Sequence, residues 1–124
     1  MLATLLERLE EVFDALRGET FVLEIVQQTA DVLVIQGGRQ RFSFSKTSRS
    51  VSANGKRLAR FDEIEWIDIG RARKDDDGPE RWWVRLKLRG WFATIPIGAS
   101  PIDADASIVA ARISTYTGKA VRAL

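Results

Sequence analysis

The stretch Arg81–Gly98, RWWVRLKLRGWFATIPIG, constrains the fold of this chain more than any other. Folded back around Arg89-Gly90, it sets Leu88 against Trp91, Leu86 against Ala93, Val84 against Ile95 and Trp82 against Ile97. All four pairs are apolar, and strand alternation puts them on one face. Trp83, Arg85 and Lys87 fall on the other face, across from Pro96, Thr94 and Phe92. The pattern predicts a hairpin with one wall in a core and the other turned to solvent or a partner. A three-residue loop with Gly90 in a bulge would set Leu86 against Phe92 and Val84 against Thr94, which separates the faces less cleanly. Pro96 removes one ladder donor, which predicts an edge position for its strand.

The residues before this hairpin also read as short strands. Phe21–Gln28 is rich in β-branched residues, Ala30-Asp31 marks a turn, and Val32–Gln36 is an apolar run stopped by Gly37-Gly38. Arg39–Ser45 alternates, with Phe42 and Phe44 on one side and Arg41, Ser43 and Ser45 on the other. Arg49–Ala53 and Lys56–Arg60 flank Asn54-Gly55, a dipeptide whose residues both accept positive φ and so favour a two-residue hairpin. Ile64, Ile67 and Ile69 step by three and then by two, the spacing of a single turn or bulge leading into a strand. Gly70–Glu80 reads as a loop, and its Asp75-Asp76-Asp77-Gly78 run lacks the alternating ligand spacing of a calcium loop.

Helical spacing occurs at both ends of the chain. Leu2, Leu5, Leu6, Leu9, Val12, Phe13 and Leu16 form an apolar stripe that predicts an N-terminal amphipathic helix over 1–18, with Gly18 as its C-cap. That stripe is compatible with packing on its own sheet or with a seam to a second copy or a partner, which makes Leu5 and Leu9 interface candidates. Ser100-Pro101-Ile102-Asp103 reads as the start of a second helix, with Ser100 capping and Pro101 at its first position. Ile102, Ala106, Val109, Ile113 and Tyr116 form its buried stripe, and Gly118 ends it.

A helix, about seven short antiparallel strands and a C-terminal helix leave too few intervening helices for parallel βαβ units. The expectation is an α+β domain built on a small antiparallel β-barrel or sandwich. At this point three segments resemble the pleckstrin-homology-like (PH-like) superfamily, in particular its bacterial members. RFDEIEWIDI (Arg60–Ile69) is similar to the Phe-x-x-Ile turn that leads into an Ile-x-Ile strand there. WWVRLKLRGWFATIPI (Trp82–Ile97) resembles the last two strands, and DADASIVAARISTYTGKAV (Asp103–Val121) the capping helix. The resemblance covers about residues 20–121 and implies a PH-like domain over 19–124 preceded by an accessory helix at 1–18. Many bacterial relatives instead follow membrane spans, which this chain does not show. The first residues, MLATLLERLEEVF, carry acids and no basic leader segment, so a cytoplasmic location is expected.

Charge narrows the functional reading. The formal net charge is only +2, but residues 32–61 hold seven cations and no acid. This basic block at 39–60 supplies the anion-binding candidates Arg39, Arg41, Lys46, Arg49, Lys56 and Arg57, residues suited to phosphate oxygens. The alternative is a solvated face balanced by the acidic blocks on either side. The resemblance implies a binding module for anionic lipid head groups, peptides or proteins. Trp83, Arg85, Lys87 and Phe92 make the second candidate surface, an aromatic anchor set among cations, while Trp66 and Trp91 are assigned to the core and its edge. The chain has no histidine and no cysteine, which removes the commonest general base, the thiolate nucleophile and the usual transition-metal ligands. A Ser–Lys pair drawn from Ser43, Ser45 or Ser48 with Lys46, or the carboxylates Asp62, Glu63 and Glu65, give no activating arrangement. The expected function is therefore non-enzymatic, without cofactor or metal: binding of a protein partner or self-association. Anionic lipid and nucleic acid are the alternatives, the latter disfavoured by the small net charge and the core parity of the aromatics.

Overall fold

The computed structural model describes residues 22–72, 80–90 and 93–123. Among these residues nine strands fall in two sheets, with one helix between the eighth and ninth strands. The first sheet is a meander of β1 (Leu23–Gln28), β2 (Val32–Gly37), β3 (Gln40–Ser45), β4 (Ser50–Ala53) and β5 (Lys56–Arg60), in that order. A single 3-10 turn, Phe61–Glu63, leads into the second sheet. That sheet holds β6 (Ile64–Ala72), β7 (Arg81–Leu88), β8 (Thr94–Ser100) and β9 (Val121–Ala123) in the order β8-β7-β6-β9. The helix α1 spans Asp103–Thr117.

The expected α+β class with a C-terminal helix holds, but the strands number nine among the described residues rather than the about seven of the expected small barrel or sandwich. The two sheets do not close on each other, and β9 follows the helix and pairs with β6 in parallel. The predicted N-terminal helix, with Leu5 and Leu9, lies outside the described residues. So do Trp91, Phe92 and most of the predicted acidic loop.

Most turns fall where the residue chemistry puts them. Asn54 and Gly55 take φ of 54° and 74°, and Ala53 pairs with Lys56 across them. The three-then-two isoleucine spacing has both of its expected causes. The 3-10 turn precedes Ile64, and the register shifts between Ile64 and Trp66, leaving Glu65 as the extra residue of a bulge. Ile67 and Ile69 then share the inward face with Ile64, while Trp66 and Asp68 point outward. Two further bulges, at Val26 and Leu58, put large apolar side chains on the surface at 42% and 40% exposure.

The β7–β8 hairpin keeps its predicted faces but not its register. Lys87 pairs with Thr94 and Leu86 with Ile95, and the Leu88 N–H donates to Ala93 O at 2.9 Å, so a four-residue connection, 89–92, replaces the Arg89-Gly90 turn. The offset from the expected pairing is two residues, and an even offset preserves side-chain parity. Val84 and Leu86 therefore stay buried, while Trp83, Arg85 and Lys87 stay outside. Ile97 follows Pro96 as the extra residue of a bulge and is itself buried. Proline cannot donate to a ladder, so the break falls where a ladder bond is already missing. β8 is an edge strand, as Pro96 requires.

The inner faces supply Leu33, Ile35, Phe42, Phe44, Val51, Ile64, Ile67, Val84 and Leu86, and the helix lays Ala106, Val109, Ala110 and Ile113 onto strands of both sheets. Ile102 is a correction to the predicted helical stripe. The helix starts at Asp103, so Ile102 sits at its N-cap position, 56% exposed. Pro101 lies before the helix, and the buried Ser100 accepts from Ile102 N–H at 3.1 Å and donates to Asp105 Oδ2 at 2.8 Å. At the other end Gly118 (φ 74°) closes the helix through its N–H to Ser114 O at 2.8 Å, as expected.

One corner joins the two sheets through glycine. A Cβ on Gly37, at the end of β2, would lie 1.8 Å from Ile97 O, and one on Gly98 would lie 3.0 Å from Gly37 Cα. Only bare backbone fits that crossing.

Candidate functional site

The outer face of the second sheet is the most organised polar surface of the described residues. Alternation on β6 sends Trp66, Asp68 and Gly70 outward, and on β7 it sends Lys87, Arg85 and Trp83. β9 adds Arg122, opposite Asp68. Asp68 is the hub, although it is only 3% exposed. Its Oδ1 accepts from the Trp66 indole N–H, and its Oδ2 accepts from Arg85 Nε at 3.2 Å. A buried carboxylate needs such partners, since an unpaired one is strongly disfavoured.

The two tryptophans are each held by cations. The Arg85 guanidinium lies 4.2 Å from the Trp83 ring centroid, and that of Arg122 lies 4.0 Å from Trp66, with Lys87 Nζ at 5.8 Å from Trp66. Trp83 rests on Gly70, where a Cβ would come within 1.9 Å of the indole Cζ2. The glycine is what lets the indole lie flat on the sheet. Lys87 Nζ also donates to Leu88 O at 2.6 Å and Gly90 O at 3.0 Å, which fixes the start of the β7–β8 connection.

A hollow opens on each side of this assembly. One, of about 430 Å³, lies between Trp83, Arg85, Pro96, Ala99 and the glycine corner at Gly37 and Gly38, with mostly apolar walls. The other, of about 570 Å³, is bounded by Trp66, Glu65, Ile64, Arg89, Lys119 and Arg122.

The predicted outer-face residues Trp83, Arg85 and Lys87 thus fall together, while Phe92 lies outside the described residues. Trp66 is corrected from core to outer face, because the bulge at Glu65 reverses the parity that a regular strand would give it. The basic block divides between the two ends of the first sheet, with Arg39, Arg41, Lys56 and Arg57 toward one end and Lys46 and Arg49 at the other. Lys46 and Arg49 sit in the β3–β4 connection at one end of the first sheet, whereas Arg39 and Lys56 flank the β2–β3 and β4–β5 turns at the opposite end. Arg41 donates to Gln36 Oε1 at 2.9 Å, and Arg57 stands opposite Ser52. Lys46 Nζ lies 4.9 Å from the Tyr116 ring, and it borders with Arg49 a hollow at the C-terminal end of the helix. Cations are stabilising there because the last helical carbonyls carry partial negative charge.

Ser45, Ser48 and the carboxylates weighed for catalysis have structural partners. Ser48 and Ser50 hydroxyls share a hydrogen bond of 2.8 Å, and Ser45 Oγ accepts from Ser48 N–H at 3.3 Å. Asp62 and Glu63 face Arg60 at 3.4 and 3.5 Å. Sequence reading missed Asp68, Gly70 and Arg122. Asp68 sat among other acids, and Arg122 reaches the sheet only because the chain turns back after Gly118. Comparisons of the chain with family models, curated proteins and solved structures found no match in any of the three.

Proposed function

We propose that the chain is a non-enzymatic interaction module of PH-like architecture, binding a protein partner or a second copy of itself through the outer face of β6 and β7. The carrying observation is Trp83, half-buried on Gly70, stacked by Arg85 and bordering the apolar hollow that Pro96 and Ala99 line. Tryptophan and arginine beside an apolar pocket are the composition of an interface anchor. The indole is already held in one position, so little freedom is lost when a partner covers it. Support for a PH-like architecture comes from the meander of the first sheet, the β6–β8 meander and the helix laid across both sheets. On this reading residues 19–124 are the binding unit and 1–18 an accessory helix, acting in the cytoplasm. Among the described residues no helix is long and apolar enough to cross a membrane. The lipid and nucleic-acid readings rested on the basic block, whose cations divide between two ends of the first sheet.

The test is site-specific photo-crosslinking in living cells, with the crosslinking residue at Ala99 and, as a control, at Ser43 on the outer face of the first sheet. The expected result is a discrete heavier species from position 99, lost in the Trp83→Ala variant and not formed from position 43. Sedimentation then decides whether the captured chain is a second copy. Equal labelling from both positions, or a position-99 band that survives Trp83→Ala, refutes the proposal.

A further inference from the structure

The geometry points to a second binding site, one for a phosphate-type oxyanion, formed by Arg89, Lys119 and Arg122 in the hollow beside Trp66. It is separate from the Trp83 hollow and stands whether or not that surface binds protein.

Three cations from distant parts of the chain line one hollow of about 570 Å³. Each is brought there by a defined piece of backbone. Arg89 begins the β7–β8 connection, and its N–H donates to Glu63 O at 2.9 Å. Lys119 follows the helix C-cap. Its N–H donates to Thr117 Oγ1 at 3.2 Å, and its carbonyl accepts from Ser114 Oγ at 2.5 Å. Arg122 is on β9, where its guanidinium lies against the Trp66 ring. The hollow exists because β9 begins pairing with β6 only at Ile67, where the Ile67 N–H donates to Ala120 O at 2.8 Å. The preceding part of β6, through the Glu65 bulge, has no strand beside it on that edge among the described residues.

None of the three cations is ion-paired with a described carboxylate. Arg60, Arg71, Arg85 and Lys87, by contrast, each face an Asp or Glu. The one carboxylate lining the hollow, Glu65, lies 4.0 Å from Lys87 Nζ. Three cations share the hollow with a single carboxylate, and an oxyanion relieves the repulsion of the excess positive charge. Two guanidinium forks and one ammonium suit a phosphate, whose oxygens accept several charge-assisted hydrogen bonds at once. Trp66 gives the hollow a rigid wall. Such a phosphate could be a soluble ester or a lipid head group, since the recognised chemistry is the same.

The full chain is titrated at low salt with inorganic pyrophosphate and followed by amide and indole NMR shifts. Saturable shifts are expected at Arg89, Lys119, Arg122 and the Trp66 indole N–H. Lys119→Gln and Arg122→Gln should each weaken binding about tenfold, a charge-assisted contact being worth roughly that factor. Lys56→Gln, in the separate basic block, should leave it unchanged. Thermal melts that match wild type certify that both hollow variants are folded. Flotation with vesicles containing a phosphoinositide, against neutral vesicles, separates the sources. Flotation lost in Lys119→Gln assigns the phosphate to a head group, and pyrophosphate binding without flotation assigns it to a soluble ester. Shifts that do not saturate, that spread equally to Arg39, Lys56 and Arg57, or that persist unchanged in both hollow variants overturn the site.

Discussion

Replacing Gly37 by alanine tests the joint on which both sheets depend. The new methyl carbon would stand 1.8 Å from Ile97 O and 2.8 Å from Ile97 C, and ordinary carbon contacts begin near 3.4 Å. Both atoms are backbone in the β8 bulge, so no side chain can swing away to make room. Ile97 is itself buried at 2% exposure, and pushing β8 outward would open the core around it. Overpacking of a well-filled interior costs about 1–3 kcal/mol, and a clash with fixed backbone belongs at or above the upper end. At about 3 kcal/mol, and at ~3–4 °C per kcal/mol for a chain of 124 residues, the melting midpoint should fall by roughly 9–12 °C. Gly98→Ala provides an internal scale. Its Cβ would meet Gly37 Cα at 3.0 Å and the flexible Leu23 Cδ1 at 3.1 Å, so about 1 kcal/mol is expected. Thermal and urea unfolding followed by circular dichroism measure both variants. A Gly37→Ala protein melting within a few degrees of wild type, or one more stable than Gly98→Ala, would refute the glycine crossing.

Further outcomes at three positions follow from burial. Asp68→Ala leaves the Trp66 indole N–H and Arg85 without their acceptor, and should lower stability by about 1–3 kcal/mol in urea unfolding. Asp68→Asn, which keeps an acceptor oxygen, should lose less, and equal losses would remove Asp68 from its place as hub. Ile113 is fully buried, and Ile113→Asp sets a charge in the core, so a loss above about 4 kcal/mol or outright unfolding is expected. Ile102→Ser at 56% exposure should change stability by no more than about 0.5 kcal/mol in the same melt.

Much of the second sheet was legible because parity survives errors of register. Leu86 pairs with Ile95 rather than Ala93, yet it faces the same way, since a two-residue slip does not turn a side chain over. Trp66 was misread for the converse reason. One extra residue at Glu65 is an odd offset, and it moved the indole from the core to the surface. The pairing of the first sheet was equally readable, because Asn54-Gly55 and Ala30-Asp31 allow few alternatives. What escaped was every contact that depends on distant segments meeting. The seven cations of 32–61 form one run in sequence but occupy opposite ends of a meander, since each turn of the chain reverses its direction.

Local chemistry alone determined the first eight strands, most of their inward faces, the helix end at Gly118 and the edge position of β8. Backbone preference and side-chain alternation act over a few residues, and no tertiary contact is needed to express them. Only the folded structure decided that Gly37 and Gly98 cross, that Asp68 joins Trp66 to Arg85, and that Arg89, Lys119 and Arg122 line one hollow. These depend on where β9 returns after the helix and on how closely two sheets approach, quantities set by packing of the whole core.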